Sequence, residues 1–219
     1  MPDIHSWLSQ YRDAVNRRFG SRVLFIGLQG SHARGEATAT SDIDVVLILD
    51  HMEMDDLLRY RRLLAGLAEP ERVCGFVAGR AELAAWSKPD LFHLYVDTKP
   101  IQGSLDGLIG PPSRASAAQA AHIGACNIHH ACSHNLVHAE AADVLRALYK
   151  TAFFVMQADQ YAGTGTCLGR RADLTADGGV MAAIAKPDIV SDDNLQEYSQ
   201  YLLEWTAQLI RRHGRAAEA

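Results

Sequence analysis

The chain has 219 residues with 21 Lys plus Arg against 26 Asp plus Glu, a net charge of −5, and 48% hydrophobic residues. That balance excludes wholesale disorder and suits one large or two small domains. An acidic chain argues against a protein held to nucleic acid by bulk charge, while leaving room for a local basic groove. Cys74, Cys126, Cys132 and Cys167 form no C-x-x-C pair. No apolar run reaches the roughly 20 residues that span a bilayer, and the first ten residues lack a signal pattern. A soluble cytoplasmic protein with reduced thiols is expected.

In chain order, Asp3 to Phe19 predicts an amphipathic helix, with Ile4, Trp7, Leu8, Tyr11 and Val15 on one side, Asp3 as cap and Gly20 as stop. Arg22 to Gln29 predicts a buried strand. Gly30-Ser31 breaks it and opens a helical turn, His32 to Glu36. After a polar loop, Thr38 to Ser41, a second strand, expected to be central, runs from Asp42 to Asp50. Met54 to Ala68 predicts a helix and Arg72 to Ala78 a third strand. Leu91 to Asp97 predicts a fourth, with Phe92, Leu94 and Val96 alternating against His93, Tyr95 and Asp97.

Gly110-Pro111-Pro112 is a stiff break. Beyond it Ser113–His138, Ala139–Ala162 and Asp192–His213 predict helices, with a loop-bounded region marked by Asp177-Gly178-Gly179 and Lys186-Pro187. The expected class is α+β: a domain at 1–110, then a helical, bundle-like domain at 111–219.

The chemistry concentrates between Gly30 and Asp44. A glycine between strand and helix lets backbone approach a ligand closely, and amides at the positive end of a helix suit phosphate. Ser31 adds a hydroxyl. Asp42 and Asp44, two apart on a strand, share a face about 6.6 Å apart. Like charges so placed repel until a cation neutralises them. Mg²⁺ takes one or two carboxylates together with substrate phosphates. Phosphate cradle beside metal site points to phosphoryl or nucleotidyl transfer. Asp97 is the candidate third carboxylate, provided its strand lies beside that of Asp42.

Gly30-Ser31, ten residues, then Asp42-x-Asp44 resembles the signature of the DNA polymerase β-type nucleotidyltransferases; Arg34-Gly35 and Ser41 match its small-enzyme form. Residues 20–110 carry the likeness. The helical half looks like the C-terminal domain of two-domain antibiotic nucleotidyltransferases, through Tyr149-Lys150, Phe153-Phe154 and Gln157. The resemblance implies a twisted mixed sheet flanked by helices and a Mg²⁺-dependent reaction, with a two-metal site at Asp42, Asp44 and Asp97. Asp97 would also be a possible general base. Gly30 and Ser31 would hold the nucleoside triphosphate, with Arg34, Ser41 and Lys150 as further nucleotide-side candidates; Arg34 reads equally as a surface helix arginine, and Lys150 more readily as a solvated helix lysine. The substrates implied are an NTP, with ATP as the expected donor of AMP, and a small hydroxyl-bearing acceptor such as an aminoglycoside or lincosamide, with pyrophosphate as product. A monomer or homodimer, without membrane association, is expected. The other reading is an antitoxin-like nucleotidyltransferase that binds or modifies a toxin protein; a helical half of this length speaks against it. His130, His134 and His138 stack at i, i+4 and i+8, more in keeping with a cleft-lining or interface face than with a metal site.

Overall fold

The computed structural model describes residues 3–167, 169–174 and 178–216; Asp177 of the expected loop signal lies outside them. The chain divides into two compact units. One comprises residues to Ser87 and Leu94–Pro111, and the other Lys88–His93 with the residues from Pro112 onward.

The first unit is built on a four-stranded sheet. Helix α1 (Ile4–Phe19) starts at Asp3, whose carboxylate accepts from the His5 and Ser6 amides. It ends at Gly20, a positive-φ stop. Strands β1 (Val23–Gln29), β2 (Ile43–Leu49) and β3 (Val73–Gly79) follow the expected pattern. Between them lie α2 (Gly30–Arg34) and α3 (Met54–Leu64), and β4 (Lys99–Gln102) completes the sheet. The order is β3-β2-β1-β4, with β2 and β3 parallel and the other pairs antiparallel. In β2 only Asp44 escapes full burial, as an internal strand with both faces covered requires. On one face Trp7, Tyr11, Val15 and Phe19 pack with Ile26, Leu28, Val45, Leu47 and Tyr60. Buried hydroxyls are satisfied there: Tyr11 and Tyr60 share a 2.7 Å hydrogen bond, and burial pushes the Tyr60 phenol up to about 12.

The expected strand Leu91–Asp97 is a helix, α5 (Lys88–Val96). Leu91, Phe92 and Leu94 are buried and His93, Tyr95 and Val96 half-buried, so both alternate sets meet protein and the apparent period of two carries no strand information. The stronger local signal is Pro89 and Asp90 in the first turn. A missing N–H costs nothing there, and a carboxylate favours the positive helix end. Asp97 therefore does not close a strand; it follows α5 and precedes β4. A short helix, α4 (Arg80–Ala85), joins β3 to this region.

The second unit is helical. Helices α6 (Arg114–His134), α7 (Ala142–Thr164) and α9 (Leu195–Ala216) enclose a core of Ile128, Cys132, Leu145, Tyr149, Phe153, Leu202 and Leu209. A further helix, α8 (Gly179–Ala185), lies in the region expected to be loop-bounded. Polar pairs tie the long helices. His129 meets Thr206 at 2.9 Å, and Asp159 accepts from Arg212 and meets His213 at 2.9 and 2.8 Å. Among the described residues no helix is long and apolar enough to cross a membrane, and all four cysteines are free thiols.

Candidate functional site

Antiparallel pairing brings the C-terminal end of β1 and the N-terminal ends of β2 and β4 to one edge of the sheet. Gln29 registers with Asp44, and Leu28 with Lys99. Gly30 thus emerges beside Asp44, and Asp97, two residues before Lys99, reaches the same end from the other flank.

The backbone at Gly30 runs tight against the Asp44 side chain. Its φ is +67°, and a Cβ placed there would lie 2.1 Å from Asp44 Oδ2. Any side chain there would be strained by the positive φ and would have to push the Asp44 carboxylate aside. The Gly30 N–H donates to Asp97 Oδ2 at 3.1 Å, and Arg34 Nη1 donates to Asp97 Oδ1 at 2.5 Å. Arg34 Nε also donates to Glu36 at 3.0 Å. The Arg34 and Asp97 side chains are each 11% exposed, so this pair is shielded from water on most sides. Burial works against the Arg34 charge, but Asp97 and Glu36 more than offset it and hold the guanidinium firmly protonated.

Asp44 feels the opposite balance. Burial raises its carboxyl above the ordinary range, and the neighbouring charges of Asp42 and Asp97 raise it further against weaker help from Arg34 and His32. Three carboxylates therefore share one field. Asp42 is exposed and Asp44 half-buried, the gradient expected of a pair at a strand rim. Among the described residues no three His, Cys, Asp or Glu side chains are preassembled around a single ion. The donors present nevertheless fit a hard divalent cation of the Mg²⁺ kind, whose remaining coordination comes from substrate phosphates and water.

Ser31, beside Gly30, has no side-chain hydrogen bond among the described residues. Ser41 is engaged differently: its hydroxyl accepts from the Thr38 N–H at 2.9 Å, and its carbonyl accepts from Arg72 at 3.1 and 2.6 Å. Ser41 thus shapes the loop that delivers Asp42. Lys150 is exposed on α7 in the helical unit, where its carbonyl accepts from Arg171.

Two residues near this edge escape pattern reading. His32 sits beside Asp44 and Arg72 with Nε2 buried and unpartnered, and burial followed by the Arg72 charge lowers its pKa, favouring neutral imidazole. Cys74, exposed on β3, stands in register with Asp44 across the parallel pair. Parallel neighbours in register share a face, so a thiol rather than an acid flanks Asp44 on that side. Nothing in the local sequence marks either position. His130, His134 and His138 form an exposed stack with ring centroids 6.4 and 4.6 Å apart.

Comparison with known proteins agrees with this geometry. The model of the nucleotidyltransferase domain family matches residues 8–77, which hold the Gly30 turn and both Asp42 and Asp44. No curated protein matches the chain. Among solved structures, a spectinomycin adenyltransferase, AAD(9) from Enterococcus faecialis, determined with ATP and spectinomycin, shares the fold. The TM-score is 0.56 at 10% identity, over 93% of this chain and 99% of that one. A mixed sheet with flanking helices followed by helices is the architecture of both. The match ends inside β3, so the family model does not reach Asp97. The likeness to nucleotidyltransferase domains spans residues 8–77, and together with the shared fold it supports a transferase enzyme.

Proposed function

We propose that the protein transfers a nucleoside monophosphate, AMP from ATP, to a hydroxyl of a small-molecule acceptor of the aminoglycoside or aminocyclitol kind. The activity would reside in residues 1–110, and a helical domain at 111–219 would supply acceptor contacts. The observation that carries the reading is the convergence of the Gly30 turn, Asp44 and Asp97 at one strand edge, with Gly30 pressed against the Asp44 carboxylate. The ATP and spectinomycin of the fold relative favour this nucleotide and this acceptor class.

The residues divide the work. Asp42 and Asp44 would hold the divalent cation, which when bound neutralises charge on the triphosphate. Asp97 would complete the set: each of its oxygens accepts one hydrogen bond here and keeps a lone pair. The Gly30 N–H is already given to Asp97, so Ser31 is the donor left for phosphate oxygen. The acceptor oxygen bonds to the α-phosphorus, the bond from that phosphorus to the bridging oxygen breaks, and pyrophosphate departs with its electron pair. The hydroxyl proton passes to the carboxylate set, with Asp97 the best placed to take it. Positioning and charge neutralisation supply the rate, as in phosphoryl transfer generally. Arg34 orients Asp97, and Lys150 is a further candidate for triphosphate contact.

The test is direct. Purified protein with Mg²⁺, α-labelled ATP and a panel of aminoglycosides, spectinomycin and lincosamides should release pyrophosphate and label one acceptor class. Absence of label on every acceptor, with ATP and Mg²⁺ bound, would remove the acceptor assignment. Absence of ATP binding would remove the transferase site itself.

A further inference from the structure

Four arginines from two helices converge on a single hollow in the first unit, and the reaction proposed above uses none of them. Arg17 and Arg18 come from the last turn of α1; Arg59 and Arg62 come from α3. Together with Ala14 and Leu63 they line a hollow of about 380 Å³. No acidic residue is among that lining. Arg59 pairs with Asp55; among the described residues Arg17, Arg18 and Arg62 have no ion-pair or hydrogen-bond partner. Arg22, Arg34 and Arg72 of the same unit each pair with an acid. A chain with five more acids than bases, 26 − 21 = 5, has carboxylates enough to neutralise such a cluster. They lie elsewhere.

Four like charges gathered with one paired carboxylate still repel and oppose folding. Helix ends explain part of the placement. Arg17 and Arg18 lie in the last turn of α1 and Arg62 in the last turn of α3, where the negative end of the helix favours cations. That accounts for each arginine singly. It does not account for two helices bringing four arginines together around one open groove with Ala14 and Leu63. Guanidinium is a planar fork matched to phosphate oxygens and binds them in pairs. The hollow is also remote from the carboxylate edge. Arg18 precedes the start of β1 and Gly30 follows its end, so roughly 20 Å of strand lies between them at about 3.3 Å per residue.

We propose that the trough between α1 and α3 is a second anion site that takes a ligand presenting two or more phosphate groups. Two sources share that chemistry: a free polyphosphate such as the tail of a nucleotide, and the backbone of a single-stranded oligonucleotide. Each neutralised phosphate of a single strand contributes about −0.7 to the slope of log K against log salt, so four arginines set a limit of about −3.

The experiment uses the full chain in EDTA, which keeps cation-dependent nucleotide binding at the other site out of the measurement. Tripolyphosphate is titrated by calorimetry, and a fluorescein-labelled oligothymidylate by anisotropy, at several salt concentrations. Wild type should bind at least one probe, and Arg17→Glu/Arg62→Glu should weaken that binding by tenfold or more and flatten the oligonucleotide slope by about 1.4, two phosphates' worth. Tight binding of tripolyphosphate alone identifies a free polyphosphate. Oligonucleotide binding that tripolyphosphate does not displace at matched charge identifies a nucleic-acid backbone. Because the four side chains are exposed, the variants should fold, checked by circular dichroism. The milder Arg17→Ala/Arg62→Ala should keep wild-type adenylyl transfer, so loss of the second site and failure of the catalytic reading register separately. If neither probe binds at low salt, or both bind the charge-reversed variant as tightly as wild type, the trough is not an anion site.

Discussion

Asp97→Asn is the sharpest perturbation of the candidate site. In the native protein the carboxylate takes the Gly30 N–H at 3.1 Å on one oxygen and the Arg34 guanidinium at 2.5 Å on the other, with both side chains 11% exposed. Hydrogen bonds to charged groups are worth about 1.5–3 kcal/mol each. The amide keeps one acceptor and turns a donor or a weaker acceptor toward the other partner, so one charge-assisted bond is lost outright. Arg34 retains Glu36 at 3.0 Å, which offsets part of the loss. About 2 kcal/mol of stability should disappear, a fall in Tm of about 4–8 °C for a chain of this size, read by calorimetry. Arg34→Gln breaks the same pair while sparing the Asp97 carboxylate, and separates anchoring from chemistry. If Asp97 serves only as an anchor, the two variants should lose stability and kcat alike. If it is also the third carboxylate, Asp97→Asn should lower kcat by several orders of magnitude with Arg34→Gln losing far less, while their stabilities stay close. An Asp97→Asn protein with native Tm and native turnover would refute both the bonding and the role.

The other expectations are simpler. Asp44→Asn should abolish turnover yet raise the Tm of EDTA-treated protein at pH 7. Burial and the charges of Asp42 and Asp97 raise the native pKa, so the ionised carboxylate opposes folding above that pKa and its neutral replacement removes the opposition; a lower Tm would contradict the shared field. Asp42→Asn should also abolish turnover with little change in fold, measured by pyrophosphate release and circular dichroism. Gly30→Ala should cost about 1–3 kcal/mol by denaturant unfolding, together with activity, because a methyl at φ +67° meets Asp44 Oδ2 at 2.1 Å. Asp56 caps α3 and pairs with Arg22, which holds its carboxyl down at about 2. Its contribution is full above the unfolded value near 3.9 and is lost as pH falls from there through about 2. Asp56→Asn should therefore flatten that part of the stability profile.

What was legible in the sequence and what was not divide along contact distance. Asp3 and Gly20 bound α1 through bonds within three or four residues, and β2 reads as an internal strand because its run is apolar on both faces. The Gly30-Ser31 turn and the Asp42-Asp44 pair are legible for the same reason, since strand period and turn chemistry are local. Leu91–Val96 failed because burial on both sides erases the difference between a period of two and one of 3.6, leaving only Pro89 and Asp90 to decide. The short helix α8 failed because seven residues between glycines and a proline show less than two turns of any period.

The candidate site shows the same division at finer scale. Asp97 meets Gly30 across 67 residues and Arg34 across 63; no spacing rule relates positions so far apart, and the β1–β4 register alone brings them together. Cys74 reaches Asp44 only through the parallel register of β2 and β3. A motif therefore places the cradle and the first two carboxylates, while topology chooses what completes them. On one flank of Asp44 it brings an acid already bound to the turn that the acid must serve, and on the other the Cys74 side chain in place of a further acid. The excess negative field at Asp44 is thus set by Asp42 and Asp97 together, and removal of either should move the Asp44 titration in the same direction, downward.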